Sequence, residues 1–144
     1  MSSFLQWAIS KTTPSEKRIG FEDVLYAIRN PECYVIVNTL HSSNQNVLIQ
    51  GSLLASEEEA FFNEYLTKYV ERPKTIVLYG MNSCDNTVSE KRIQLLSLGI
   101  SEVRVYSGGL FEWLLLQDIY GMNEFPTTAK VADLLAYRPR RTVV

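Results

Sequence analysis

At 144 residues, 46% hydrophobic and 21% charged, the chain is the size of one ordinary domain and carries enough apolar material for a single core. Fourteen Lys and Arg against 16 Asp and Glu leave a formal charge of −2, so no global field selects nucleic acid or an anionic membrane surface. Two cysteines and one histidine are too few for a disulfide scaffold and leave a Cys/His zinc site short of ligands, so no metal is expected; no cofactor is expected either.

The opening stretch MSSFLQWAISKTTPSEKR has neither the basic start nor the continuous apolar core of a secretory signal. No later run approaches the ~20 apolar residues of a membrane span. These features lead us to expect a cytoplasmic protein with both thiols reduced. The whole of 1–144 reads as one domain, with 1–17 as an N-terminal extension and 137–144 as a basic tail. Arg138, Arg140 and Arg141 in that tail are read as a solvated end rather than a phosphate-binding arm.

Along the chain, Phe21, Val24, Leu25 and Ile28 fall at i, i+3, i+4 and i+7, the stripe of a short helix ended by Asn30-Pro31. The run CYVIVNTL, Cys33 to Leu40, is apolar at consecutive positions, as in a strand buried on both faces. Cys33 is read as a packing residue of that strand. A short apolar stretch, Ser52 to Ala55, precedes Ser56 and Glu59, which form a capping box. The helix after them carries Phe62, Tyr65, Leu66, Tyr69 and Val70 on one face, with Pro73 as its stop.

A second strand, TIVLY, leads into the turn YGMNSCDNTVSE. There Thr87 and Glu90 form another capping box, and Gly99 ends the helix that follows. Glu102 to Tyr106 reads as a third strong strand, and Ser107-Gly108-Gly109 turns it into a helix with Phe111, Trp113, Leu114 and Leu115. Gly121 and Pro126 mark a turn, and Thr127 or Thr128 begins a last helix bearing Val131, Leu134 and Leu135. Strands and helices thus alternate, which predicts an α/β fold with a mostly parallel central sheet and helices on both faces. Such sheets bind ligands beyond the carboxyl ends of their strands, where the turn after TIVLY lies.

Two stretches resemble the rhodanese-like family: TIVLYGMNSCDNTVSEKRIQLLSLGISEVRVYSGG, and Gly108 to Trp113, which matches that family's G-G-x-x-x-W element. Weaker similarity extends from Arg18 to Leu54. The resemblance implies the rhodanese-like three-layer fold and the class of sulfurtransferases. Members that transfer sulfur carry their cysteine directly after the Tyr-ending strand, where this chain has Gly80. They place an aspartate and an arginine near the end of the first strand, where this chain has Asn38 and Leu40.

Cys84 is therefore the candidate nucleophile, displaced within the turn, with Gly80, Met81, Asn82, Ser83, Asp85, Asn86 and Thr87 as the residues that would line its substrate. Amides before a helix N-terminus, together with the helix dipole, favour a thiolate and can hold an anionic persulfide or thiosulfate. The Asp85 carboxylate beside it acts in the opposite sense, and no histidine lies nearby in sequence to serve as base. His41, next to Ser42, Ser43 and Asn44, is read as solvent-exposed.

Two functions follow. One is transfer of sulfane sulfur through a Cys84 persulfide, from a small donor to a thiol acceptor. The other is a non-catalytic rhodanese-like module that binds a protein. A phosphatase needs arginine six positions after its cysteine to clamp phosphoryl oxygens, and that position is Glu90.

Overall fold

A computed structural model describes residues 15–143. Most of the expected N-terminal extension lies outside them. Eight regular elements follow in order: β1 (Arg18–Ile19), α1 (Phe21–Arg29), β2 (Tyr34–Asn38), α2 (Ala55–Thr67), β3 (Thr75–Tyr79), α3 (Thr87–Ser97), β4 (Val103–Tyr106) and α4 (Gly109–Tyr120). Short 3-10 turns occupy Ser42–Asn44 and Leu134–Tyr137.

The strands form a parallel sheet in the order β1-β4-β3-β2. Asn38, Tyr79, Tyr106 and Ile19 pair across it in one row, so the loops that follow the three longer strands emerge together at one edge. The short apolar stretch from Ser52 contributes a single parallel bridge to Ile36, with Leu53 N–H donating to the Ile36 carbonyl at 2.8 Å. Strand β1 was not expected. Two residues carry no readable period, and they are held because the Lys17 carbonyl accepts Val105 N–H at 2.8 Å.

Alternation along each strand splits the core in two. Val77, Tyr79, Ile36 and Tyr106 face Val24, Ala27, Leu110 and Trp113 of α1 and α4. Val37, Ile76, Leu78 and Val105 face Phe62, Val88 and Leu95 of α2 and α3. Helices thus cover both faces, as the unbroken apolar runs implied.

Gly99 ends α3 as expected: its φ is +90°, its N–H reaches Leu96 O at 3.0 Å and the Ile100 N–H reaches Leu95 O at 3.0 Å. This is the paired closure of a left-handed cap.

Several expectations are corrected. The chain after Thr127 is not a helix. Thr127 bridges Ile49 antiparallel, Thr128 N–H donates to Leu48 O at 2.8 Å and Thr128 Oγ1 accepts Leu48 N–H at 3.0 Å. Backbone groups a helix would need are spent on that pairing, and only one 3-10 turn forms, capped by Asp133 accepting Leu135 N–H at 3.1 Å.

Neither capping box closes: the caps of α2 and α3 are Leu54 and Asn86, without side-chain cap bonds. Helix α2 stops at Thr67, well before Pro73, and Lys68 turns to extended backbone. Tyr65 hydroxyl donates to Lys74 O at 2.9 Å and draws the following segment back along the helix. Tyr69 is left 94% exposed rather than packed. Cys33 precedes β2 and is exposed, because its place is the turn before the strand rather than the strand itself.

Burial raises the pKa of Tyr79, opposed in part by hydrogen bonds with Ser52 and the Ile49 amide. It raises that of Tyr106 as well, aided by the hydrogen bond to the Glu112 carboxylate and its charge. A folded-state pKa above the unfolded value of 10.0 contributes stability that is complete below that value and lost as pH rises past it. Urea titrations from pH 8 to pH 12 are expected to show a falling midpoint above about pH 10. That fall should be shallower in Tyr106→Phe, which keeps the ring and removes the titrating group.

Candidate functional site

The turn between β3 and α3 lies at the carboxyl edge of the sheet. The chain leaves β3 at Gly80, whose carbonyl accepts Leu110 N–H at 2.9 Å, and the Met81 carbonyl accepts Phe111 N–H at 2.8 Å. The first free amides of α4 are therefore satisfied by the turn itself. This contact requires Gly109: its φ is +70°, and a Cβ there would come 2.9 Å from Gly80 O and 3.0 Å from the Asn82 backbone. The Gly-Gly step of the G-G-x-x-x-W element is thus a docking surface for the preceding turn.

Within the turn, Asp85 folds inward. Its Oδ2 accepts Met81 N–H at 2.9 Å, and its Oδ1 accepts Thr87 N–H at 3.0 Å and the Thr87 hydroxyl at 2.6 Å. Asn82 Oδ1 accepts Cys84 N–H at 3.0 Å and Asn82 O accepts Asp85 N–H at 3.2 Å. The amides of Met81, Cys84, Asp85 and Thr87 are all accepted within the turn.

The carboxylate also fills space. A Cβ built on Gly80 would stand 2.6 Å from Asp85 Oδ2 and 2.7 Å from a Val88 methyl. Any residue but glycine there displaces both of them or moves the backbone.

Cys84 is exposed, and its closest polar side-chain partner is the Ser83 hydroxyl at 4.0 Å. Gly80, Met81 and Thr87 come together around the Asp85 carboxylate, and Asn82 braces the turn through Cys84 N–H and the Asp85 amide. The Cys84, Ser83 and Asn86 side chains are on the outer side, exposed to solvent.

At the end of β2, Asn38 is 4% exposed, and its Oδ1 accepts Leu40 N–H at 3.1 Å. It is a neutral turn-former. Thr39 donates its N–H to Tyr79 O at 3.0 Å and pairs its hydroxyl with that of Thr87 at 2.8 Å, which ties the ends of β2 and β3 to α3. Beside them a shallow polar cleft of about 290 Å³ is lined by Thr39, Gln45, Glu90 and Gln94, with Lys91 paired to Glu58 across it.

His41 is exposed, with its Nδ1 between the Ser43 hydroxyl at 2.8 Å and the Ser43 amide at 3.2 Å. Among the described residues no group of three His, Cys, Asp or Glu is arranged to hold a metal. None of the described helices is long and apolar enough to cross a membrane.

Sequence reasoning missed two participants. Thr39 lies 48 residues from its partner. Tyr137, whose carbonyl accepts Asn82 Nδ2–H at 3.0 Å, lies 55 residues away. No local pattern in the sequence joins either pair.

No family model and no curated protein matches the chain. Solved structures do. A full-length protein from Lactobacillus plantarum is 20% identical, with a TM-score of 0.56 over 78% of this chain and 88% of its own. The rhodanese-like domain of an Anabaena protein is 21% identical, with a TM-score of 0.51 over 90% and 96%. A single-domain sulfurtransferase from Saccharomyces cerevisiae is 15% identical, with a TM-score of 0.52 over 76% and 97%. At such identities the likeness is one of architecture, the parallel sheet and the helices on its two faces: the chain has the rhodanese-like fold.

Proposed function

We propose that this domain is a non-catalytic rhodanese-like module that binds a protein through its strand-end face. The observation that carries the reading is the Asp85 carboxylate. It takes the Met81 and Thr87 amides and fills the space beside Gly80, where sulfur-transferring members place their cysteine. An anionic substrate entering the turn would have to displace a carboxylate already satisfied there, at the cost of stripping its hydrogen bonds.

Incubation with thiosulfate followed by intact mass measurement tests the catalytic side of this reading. In sulfur transfer a thiolate attacks the outer sulfur of thiosulfate; one S–S bond forms, the donor's S–S bond breaks, and sulfite leaves with the electron pair. We expect no added sulfur on the native chain. An adduct that disappears in Cys84→Ser would instead establish transfer through Cys84, the second reading, which the exposure of that thiol favours.

The binding side is tested by attaching a photo-crosslinker to each exposed cysteine in turn. Cys84 follows β3 and Cys33 precedes β2, so in a parallel sheet they mark opposite edges. A partner captured from Cys84 and not from Cys33 supports the strand-end face; capture from Cys33 alone overturns it.

A further inference from the structure

The segment that follows α4 is held in two very different ways. Up to Ala129 it is firmly anchored. Pro126 O accepts Gln50 N–H at 3.0 Å and the Trp113 indole N–H at 3.1 Å, Thr128 pairs with Leu48, and the buried Thr127 hydroxyl donates to Ala129 O at 2.8 Å.

Beyond that point the chain runs across the core side of the molecule to the turn. Val131, Leu134 and Tyr137 rest on the core with Met81, none of them fully buried, while Leu135 is 52% exposed. Other hydrogen bonds of residues 133–138 stay within the segment, at Asp133 and Leu135. Among the described residues, one hydrogen bond joins residues 130–138 to the rest of the chain: Asn82 Nδ2–H to Tyr137 O at 3.0 Å.

Asn82 also holds the turn, because its other atom, Oδ1, accepts Cys84 N–H. One side chain therefore bridges the turn and the segment crossing it. Few buried apolar groups and one bridging hydrogen bond place residues 130–137 at the low-stability end of the molecule, next to a boundary that is firm.

We propose that residues 130–137 are a displaceable strap, latched by Asn82, whose release opens the 80–87 turn. The two openings are linked, so whatever lifts the strap loosens the turn, and a partner that takes the turn frees the strap by the same factor. This rests on the strand-end face being the working surface. Its test needs no partner and no sulfur chemistry, so it fails or succeeds apart from the reading above.

The experiment is hydrogen exchange followed by mass spectrometry on the full chain. Asn82→Asp keeps an acceptor for Cys84 N–H and removes the donor to Tyr137 O. Losing one hydrogen bond of ordinary strength multiplies an opening equilibrium by about five- to tenfold. Exchange in both 130–137 and 80–87 is expected to rise by about that factor, with β3 and residues 126–128 unchanged.

Leu134→Ser supplies the reciprocal arm, because it weakens the strap without touching the turn's hydrogen bonds. Exchange in 80–87 is expected to rise there too. Faster exchange confined to the mutated segment in both variants, or no change in either, overturns the coupling.

Discussion

Gly80→Cys alone is expected to take up no sulfur from thiosulfate, whereas Gly80→Cys combined with Asp85→Ala takes up one sulfur atom. In the single variant the new Cβ meets Asp85 Oδ2 at 2.6 Å. Either the carboxylate leaves its amides or the loop moves, at a cost of about 1–3 kcal/mol. The new thiol is also held beside a carboxylate, which disfavours its anion.

Removing the Asp85 side chain relieves that overlap, leaves only the Val88 methyl at 2.7 Å to give way, and returns the Met81 and Thr87 amides to an incoming anion. Asp85→Ala alone loses the bonds at the start of α3 and should cost about 1–2 kcal/mol. The two substitutions should therefore be non-additive in stability, the double variant being less damaged than the sum. Intact mass and urea midpoints on the four proteins measure both effects. Equal sulfur uptake by the single and double variants would show that Asp85 is not what blocks the turn.

Trp113→Ala is expected to give the largest loss of stability of any single change considered. Trp113 is 0% exposed and packs edge-on to Tyr106, with ring centres 6.1 Å apart, and to Phe125 at 5.2 Å. Truncating a buried tryptophan costs about 3–5 kcal/mol. The loss of the indole N–H also leaves the Pro126 carbonyl without that donor, about 1 kcal/mol more.

That is a large share of the roughly 5–15 kcal/mol that holds a domain of this kind together. The urea midpoint should fall with the slope of the transition unchanged. Trp113→Phe keeps a ring between Tyr106 and Phe125 and should lose much less. A Trp113→Ala protein within about 1 kcal/mol of the native chain would mean that the α4 face is not the packed core described here.

Where a long apolar run, a helical stripe or a left-handed glycine decides a segment's structure, the sequence was read correctly. The unbroken apolar runs of β2 and β3 announce strands covered on both faces, because alternation vanishes when neither face meets water. The stripe from Phe21 to Ile28 is a helix, and Gly99 closes α3 because only a residue without a Cβ enters that conformation without strain.

Some misreadings come from partners distant in sequence, and others from local backbone geometry that residue types alone do not fix. Thr127 and Thr128 have the local pattern of a helix start, but residues 48–50 lie alongside and take their backbone groups. Asp85 reads locally as a charge beside a thiol. In the folded turn it faces the other way, accepting amides four residues back and two residues on.

By itself, then, the sequence determined the order of the elements from α1 to α4, the two-faced burial of the sheet and the placing of a polar turn at its carboxyl edge, since these follow from residue spacing and backbone sterics. Only the tertiary structure decided what that turn can do. Whether its amides are open to a ligand depends on one carboxylate folded back onto Met81 and Thr87 within the turn, and on Gly109 and a strap arriving from residue 137, groups distant along the chain that no local pattern joins to it.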